Sequence, residues 1–295
     1  MHKFLFTLYR IVVPKPIRTI ILKKNIRRNI LDQYGSLPEI ELNEDQKEIV
    51  DFLRENQVSI FPYPFQEKYR PELVSVFSDP ATGMKYVMQD GKKLYFKKRW
   101  NVKRIRKSYS ELLKEQDINS PHRYITPGFQ PGPDDVVADI GAAEGNFSLS
   151  VIDKVKKIYL FEYDREWFEA LNATFAGWKD KVEIIPRYVA DFDDEKHIRL
   201  DTFFRTHNDI SFMKIDVDGY EQKVMEGCRS MLESKIPLKI AICTYHKSDD
   251  EHEFTRLLQN YGFGVSASRG YMINYYDKKL KAPWLRRGLL RAVRK

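Results

Sequence analysis

Residues 136–147 read VVADIGAAEGNF: an apolar run closes on Asp139, Gly141 and Gly145 follow, and Glu144 stands between them. Gly141 permits a tight turn at a strand end, and Gly145 would let the backbone approach a ligand. The helix starting near Phe147 offers free N–H groups. A dinucleotide corner needs G-x-G-x-x-G, with the pyrophosphate on the helix N-terminus. Here the spacing is G-A-A-E-G, and Glu144 would set like charge against a phosphate. S-adenosylmethionine has no phosphate and carries an ammonium and a sulfonium. It suits this corner, with Asp139 and Glu144 beside its cations and Ala142 in the turn. A corner of this kind can also be packing alone.

The next apolar run, Lys157 to Phe161, ends in Glu162, 23 residues after Asp139. In comparable folds an acid about 20 residues beyond the glycine turn accepts the ribose hydroxyls of an adenosine ligand. Tyr163 and Tyr188-Val189 are candidates for the adenine face. A third strand end, SFMKIDVDGYE, places Asp216 just before an Asp218-Gly219 turn into a helix. Methyl transfer to oxygen is an in-line displacement, and a positioned base or a metal helps a poor alcohol nucleophile. His246, after the apolar run Lys239 to Cys243, is the candidate base, with Asp216 as its rival and a capping or surface histidine as the plain alternative. Asp216, Asp249 and Asp250 could hold a divalent cation through oxygen ligands, although SDDE is also a good helix start. His122-Arg123-Tyr124, just before the corner strand, could contact the acceptor or serve as a linker.

These residues need elements to hold them. From residue 135 onward, strands at about 135–140, 157–162, 181–185, 210–216 and 237–243 alternate with helical patterns at 145–154, 165–178, 219–234 and 249–261. Such alternation argues for a parallel sheet covered on both faces. GFGVSASRGYMINYYD (262–277) reads as an antiparallel hairpin about Ser268-Arg269-Gly270. A parallel sheet closed by such a hairpin is the architecture of a class I methyltransferase. Upstream, residues 43–56 predict a helix with Asn43 at its start, 70–99 hold short β-like runs, and 100–116 predict another helix. The predicted organisation is an appendage over 1–120, an S-adenosylmethionine-binding domain over 121–277, and a basic tail over 278–295.

Four blocks, DIGAAEGNFSLS, LFEYDREWFEAL, KIDVDGYEQKVMEG and IAICTYHKSDDEHEFTRLLQNYGF, occur in that order. Together they resemble the FkbM family of S-adenosylmethionine-dependent methyltransferases over about 135–265. The KIDVEGYE-type block is that family's most specific mark, and Asp218 here replaces its commoner Glu. EQDINSPHRY (115–124) and APWLRRGLLRA (282–292) resemble segments attached to a subset of the family. The resemblance implies an α/β, Rossmann-like class I methyltransferase fold: a mostly parallel seven-stranded sheet with a C-terminal antiparallel hairpin, plus an N-terminal α+β appendage. It also implies O-methylation, often of sugars or polyketide-type hydroxyls. By the motif, Asp139, Gly141 and Gly145 carry over to cofactor binding, Glu162 to the ribose and Asp216 to the active centre. Ala143 stands where many methyltransferases have a second glycine.

The net charge of +8 is unevenly placed. Residues 1–34 hold eight Lys/Arg and one acid, Asp32, and residues 278–295 hold eight Lys/Arg and no acid, so the body between them is acidic. The basic ends suit an anionic membrane face, a glycan-assembly partner, or plain solvation. There is no apolar run long enough to span a bilayer, no secretory-signal pattern, and Cys228 and Cys243 are the only cysteines. These features predict a cytoplasmic chain, at most peripheral at the membrane's inner face. GKKLYFKKRWNVKRIRK (91–107) holds nine Lys/Arg, no acid, and Tyr95, Phe96 and Trp100 between them. It could grip an anionic acceptor or RNA. No D/N-P-P-Y/F motif occurs and Cys243 lacks a preceding Pro, both against a base methyltransferase. The sequence reading is an O-methyltransferase for a carbohydrate or small-molecule hydroxyl. An RNA methyltransferase using 91–107 and a non-catalytic scaffold are its rivals.

Overall fold

The structure is a computed structural model that describes residues 14–277 and 279–295; residues 1–13 of the basic N-terminal segment lie outside the described residues. Helix α1 (Lys15–Tyr34) follows Pro14. Helix α2 (Glu44–Glu55) starts at a reciprocal cap, in which the Asn43 side chain accepts from the Gln46 N–H and the Gln46 side chain from the Asn43 N–H. A three-stranded antiparallel sheet, β1 (Phe77–Ser78), β2 (Lys85–Gln89) and β3 (Lys92–Tyr95), leads into α3 (Val102–Glu115). The alternating region then runs β4 (Val136–Ile140), α4 (Asn146–Val151), β5 (Lys157–Phe161), α5 (Arg165–Thr174) and β6 (Val182–Ile185). A short pair, β7 (Tyr188–Val189) and β8 (His197–Ile198), precedes α6 (Leu200–Phe204) and β9 (Ile210–Ile215). The chain closes with α7 (Glu221–Gly227), α8 (Arg229–Glu233), β10 (Leu238–Cys243), α9 (Asp250–Asn260), β11 (Gly264–Ala267) and β12 (Leu289–Arg294).

The main sheet has seven strands in the order β11-β12-β10-β9-β4-β5-β6. Strands β4, β5, β6, β9 and β10 are parallel, and β12 is antiparallel to both its neighbours. This is the class I methyltransferase arrangement. Its central strands are apolar on both faces because both faces are covered. Val137, Phe212, Ala241 and Leu289 enter one core cluster, and Val136, Ala138, Met213 and Ile240 the other.

The closing strand is not where the sequence places it. The sequence pattern pairs the strand after α9 within 262–277 and leaves 278–295 as a tail. The partner of that strand, β11, is β12, drawn from that tail and inserted between β10 and β11. Leu289, Leu290 and Ala292 are buried. The arginines that disguise this strand have defined partners: Arg291 donates to the carbonyls of Arg123 and Tyr124, and Arg294 to those of Leu232, Ile236 and Tyr261. A charge count does not register carbonyl oxygens that need donors. Met272 and Ile273 instead pack with Leu53, Phe61 and Tyr63 of the N-terminal layer.

The basic–aromatic stretch 91–107 is likewise built into the fold. Tyr95, Phe96 and Trp100 are buried. Lys97 pairs with Asp164 and Glu166, Arg99 with Glu166, and Lys92 with Asp153. The Arg104 guanidinium lies over the Trp100 ring at 4.1 Å. The aromatics therefore offer no open stacking platform for RNA. No described helix is long and apolar enough to cross a membrane.

Leu290→Ala tests the placement of β12. Truncating this side chain, 1% exposed, should lower the unfolding free energy by about 2–5 kcal/mol in urea titrations. A loss below about 0.5 kcal/mol, normal for an exposed tail, would remove β12 from the sheet.

Candidate functional site

A cavity of about 810 Å³ opens at the carboxyl ends of β4, β5 and β9, where open parallel sheets take their ligands. Its walls come from the turns after those strands and from residues 187–192. Leu112 and Glu115 of α3, with Tyr124 and Tyr245, close the other side.

At the corner, Gly141 (φ +78°) brings β4 and β9 together: a Cβ there would lie 2.1 Å from the Asp216 carbonyl oxygen. Gly145 (φ +82°) has a different neighbour from the one expected. A Cβ at Gly145 would meet Phe175 at 2.8 Å and Leu171 at 2.9 Å, so its missing side chain seats α5, and it does not line the cavity. Asp139 is also displaced from its expected role. Fully buried and off the cavity wall, it faces Lys214 Nζ at 3.0 Å and accepts from Ser148 Oγ at 2.7 Å. Lys214 Nζ in turn donates to the Gly141 carbonyl at 2.6 Å. Burial works against the Lys214 charge, yet Asp139 and Asp216 hold its pKa above the usual lysine value.

Ala142 and Glu144 do line the cavity. Burial raises the Glu144 carboxyl to about 8, so it is largely neutral at pH 7, and a bound cation would favour its ionised form. Glu162 is held from two sides: one oxygen accepts from the Ala143 N–H at 2.9 Å and the other from the Asp164 N–H at 2.7 Å. The carboxylate faces the cavity with lone pairs left to accept hydroxyls. Burial raises its pKa, and those two amide bonds oppose the rise. The Tyr163 and Tyr188 rings, 4.5 Å apart between centroids, line the same end with Val189.

At the other end, Asp216 Oδ2 accepts from Tyr124 Oη at 2.7 Å and lies 3.5 Å from His122 Nε2. Burial alone would raise the Asp216 pKa; His122, Lys214 and His246 together drive it far below the usual carboxylate range. So acidic a group is a fixed anion and a poor proton acceptor, which weakens its case as the base. Of the expected acceptor triplet, His122 and Tyr124 converge on Asp216. Arg123 does not line the cavity, and its Nε donates to the Ile125 carbonyl at 2.8 Å.

His246 does not fit the role of base either. It is off the cavity wall, with Nδ1 at 3.0 Å from Glu221 Oε1 and Nε2 at 3.7 Å from Asp218 Oδ1. Burial would lower its pKa, but Asp218, Glu221 and Asp216 overcome that and raise it to about 10. At neutral pH it is already protonated. The metal set expected from Asp216, Asp249 and Asp250 does not assemble. Among the described residues, the groups that could converge on an ion with Asp216 are His122 with Cys243, and Glu221 with His246. Asp250 instead accepts from the Lys247 N–H at 2.9 Å. In the first group the thiol is held protonated by burial, and in the second the imidazole is already a cation.

Sequence reading missed Glu115, Lys214 and Tyr245. Lys214 carries a signal, a lysine inside an otherwise apolar strand. Glu115 carries none beyond opening the EQDINSPHRY segment, because it reaches the site from outside the sheet. It faces the cavity with no hydrogen bond among the described residues. Burial raises it to about 7; Asp216 and Glu111 add to this, while His122 and Lys214 oppose it.

Residues 188–265 match the family described as Methyltransferase FkbM domain. That range contains the KIDVDGYE block and His246 and begins after the glycine corner. No curated protein matches the chain. Among solved structures, Methyltransferase FkbM from Methylobacillus flagellatus KT is 14% identical with a TM-score of 0.44, over 93% of this chain and 60% of that one. The chain therefore spans about 60% of that protein's length. The N-methyltransferase NodS from Bradyrhizobium japonicum WM9, in complex with S-adenosyl-l-homocysteine, is 10% identical with a TM-score of 0.37, over 64% of this chain and 86% of that one. An rRNA methylase from Streptococcus thermophilus is 15% identical with a TM-score of 0.36, over 56% of this chain and 89% of that one. The matched residues 188–265 thus run from β7 into β11 of a sheet with class I methyltransferase strand order and include the strand that ends before Asp216.

Proposed function

We propose that this chain is an S-adenosylmethionine-dependent O-methyltransferase for a hydroxyl of a carbohydrate or related small molecule. The observation that carries the reading is the doubly anchored Glu162 carboxylate on the wall of an acid-rich cavity. Seven acids and three Lys/Arg line that wall, so an adenosyl ligand bearing cations is favoured over one bearing phosphates. Glu162 would accept the ribose hydroxyls, Tyr163, Tyr188 and Val189 would enclose the adenine, and Glu144 would meet the cationic end. On the acceptor side, Leu112, Tyr124 and Tyr245 suit the CH faces of a sugar, and Glu115 and Asp216 suit its hydroxyls.

Bound there, the cofactor supplies an electrophilic methyl group. The chain seats the acceptor oxygen in line with it, excludes water and removes the hydroxyl proton. Asp216 fixes the acceptor as an anion held by Tyr124 and His122. Glu115 would take the hydroxyl proton at a carboxylate oxygen as the acceptor oxygen gains the methyl and the sulfonium, its S–CH3 bond broken, leaves as a thioether, since a base works best with a pKa near the working pH.

Glu162→Ala should weaken S-adenosylmethionine binding by about 10–100-fold in calorimetry, from the loss of hydrogen bonds to a charged acceptor. Unchanged affinity would take Glu162 out of the cofactor site, and a parent protein that ignores S-adenosylmethionine but takes up a dinucleotide would end the proposal. Once an acceptor is found by labelled-methyl transfer to a carbohydrate panel, Glu115→Gln should lower kcat about 10²–10⁴-fold with cofactor affinity intact. In the parent enzyme the rate should climb as pH rises through about 7, because only the ionised carboxylate accepts a proton. A variant that keeps both this limb and the rate would clear Glu115 of the role.

A further inference from the structure

The N-terminal helix shows a feature that the cavity does not explain. The second half of α1 is anchored: Ile26, Ile30 and Tyr34 are buried against Ile49, Val50 and Leu53 of α2, and Arg27 donates to the carbonyls of Leu53 and Arg54 at 2.6 Å. The first half is not covered among the described residues. Ile17, Ile20, Ile21 and Leu22 are exposed by 48, 49, 40 and 43%. Ile17, Ile20 and Ile21 fall at i, i+3 and i+4 and so share one face of the helix, and Lys24 and Arg28, at i+7 and i+11, continue it. Lys24 and Arg28 are exposed and form no ion pair or hydrogen bond among the described residues. The face therefore has an aliphatic tip followed by a cationic collar.

Scattered exposed aliphatics need no explanation, but a contiguous set at helical spacing does. Burying such side chains is favourable, so this face gains from any apolar cover. Charge decides which cover. Asp32 is the only acid within α1, whereas Arg18, Lys23, Lys24, Arg27 and Arg28 are all basic, a balance that favours an anionic surface. The preceding residues 1–13 repeat the composition, with Phe4, Leu5, Phe6, Leu8, Ile11, Val12 and Val13 beside Lys3 and Arg10 and no acid. Aliphatic residues that enter the acyl boundary, with Lys and Arg at the level of the phosphates, are the pattern of a helix lying in a bilayer interface. No described helix is long and apolar enough to cross a membrane, and the contact that this face suits is a peripheral one. We propose that the first turns of α1 dock this protein on an anionic phospholipid surface through Ile17, Ile20 and Ile21, with Lys24 and Arg28 on the headgroup phosphates.

The test is co-sedimentation of the full chain with vesicles of phosphatidylcholine alone and of phosphatidylcholine mixed equally with phosphatidylglycerol, at low and high salt. The protein should pellet with the mixed vesicles at low salt, much less at high salt, and little with phosphatidylcholine alone. Ile17→Ser/Ile20→Ser/Ile21→Ser and, separately, Lys24→Glu/Arg28→Glu should each weaken binding by about tenfold or more, with the thermal unfolding midpoint unchanged. S-adenosylmethionine affinity should also be unchanged in both variants, a readout independent of the proposed activity. Absence of binding to the mixed vesicles overturns the proposal. So does equal binding to both vesicle types, or binding that neither variant disturbs, which would assign the contact to residues 1–13 alone. A dimer in light scattering that the isoleucine variant dissolves would show that a second copy covers the face, and would overturn it as well.

Discussion

One buried ion pair sets the geometry of the cavity floor. Asp139 of β4 and Lys214 of β9 are direct register partners across adjacent parallel strands, and both are almost fully buried. Deleting one member of such a pair strands the other charge, a loss of about 3–5 kcal/mol. The lysine does more than neutralise Asp139. Its Nζ reaches past the strand end to the Gly141 carbonyl, and its charge helps keep Asp216 ionised. One cation thus fixes two strand ends, the first turn and the Asp216 anion. The close approach of that turn to the Asp216 carbonyl leaves no room for a Cβ at residue 141.

The sheet edge alone does not close the cavity. One side comes from Leu112 and Glu115 of α3 and from Tyr124 in the segment leading into β4, and both are keyed to the body at specific points. The Tyr95 N–H donates to Thr174 Oγ1 at 3.0 Å, Lys97 pairs with Asp164, and Arg291 of β12 holds the carbonyls of Arg123 and Tyr124. Asp164 follows Glu162 by two residues, and its N–H is one of the two that orient that carboxylate. The basic stretch 91–107 therefore contributes by fastening α3 beside the Glu162 end of the cavity. Its aromatic side chains face inward because they form the joint, with Trp100 against Trp167 of α5 at 5.2 Å between ring centroids.

What the sequence made legible was what local pattern encodes. Buried strands read as apolar runs, and Glu162, Tyr163, Tyr188 and Asp216 lie on the cavity wall because strand ends in an open parallel sheet share one edge. The misses share a cause, which is that the deciding partner lies far away in the chain. Gly145 is bare to admit Phe175 and Leu171, some distance along the sequence. Asp139 faces inward to Lys214 and not outward to a ligand. Strand β12 carries its arginines to carbonyls of Leu232, Ile236 and Tyr261. Glu115 reaches the cavity from a helix outside the sheet. In each case residue type was read correctly as polar or small, and tertiary pairing determined what it was for.

His246 shows how far such pairing can change a role. A histidine at the carboxyl edge of a parallel sheet invites assignment as a base, yet carboxylates on three sides hold its proton. The same Glu221 Oε1 that faces it accepts the N–H groups of Val217 at 3.1 Å and Gly219 at 3.3 Å. Glu221 thereby clamps the turn that follows Asp216, and the His246 cation balances the Glu221 charge. Asp218 lies inside this turn with φ +51°. Asp enters that left-handed region more readily than Glu does, because its short side chain can bond locally, which gives a physical reason for the shorter acid in KIDVDGYE. The side chain of Asp218 is itself fully exposed, so its backbone conformation matters more here than its reach. His246 and Glu221 thus shape the cavity through the turn, by fixing where the Asp216 carboxylate meets Tyr124.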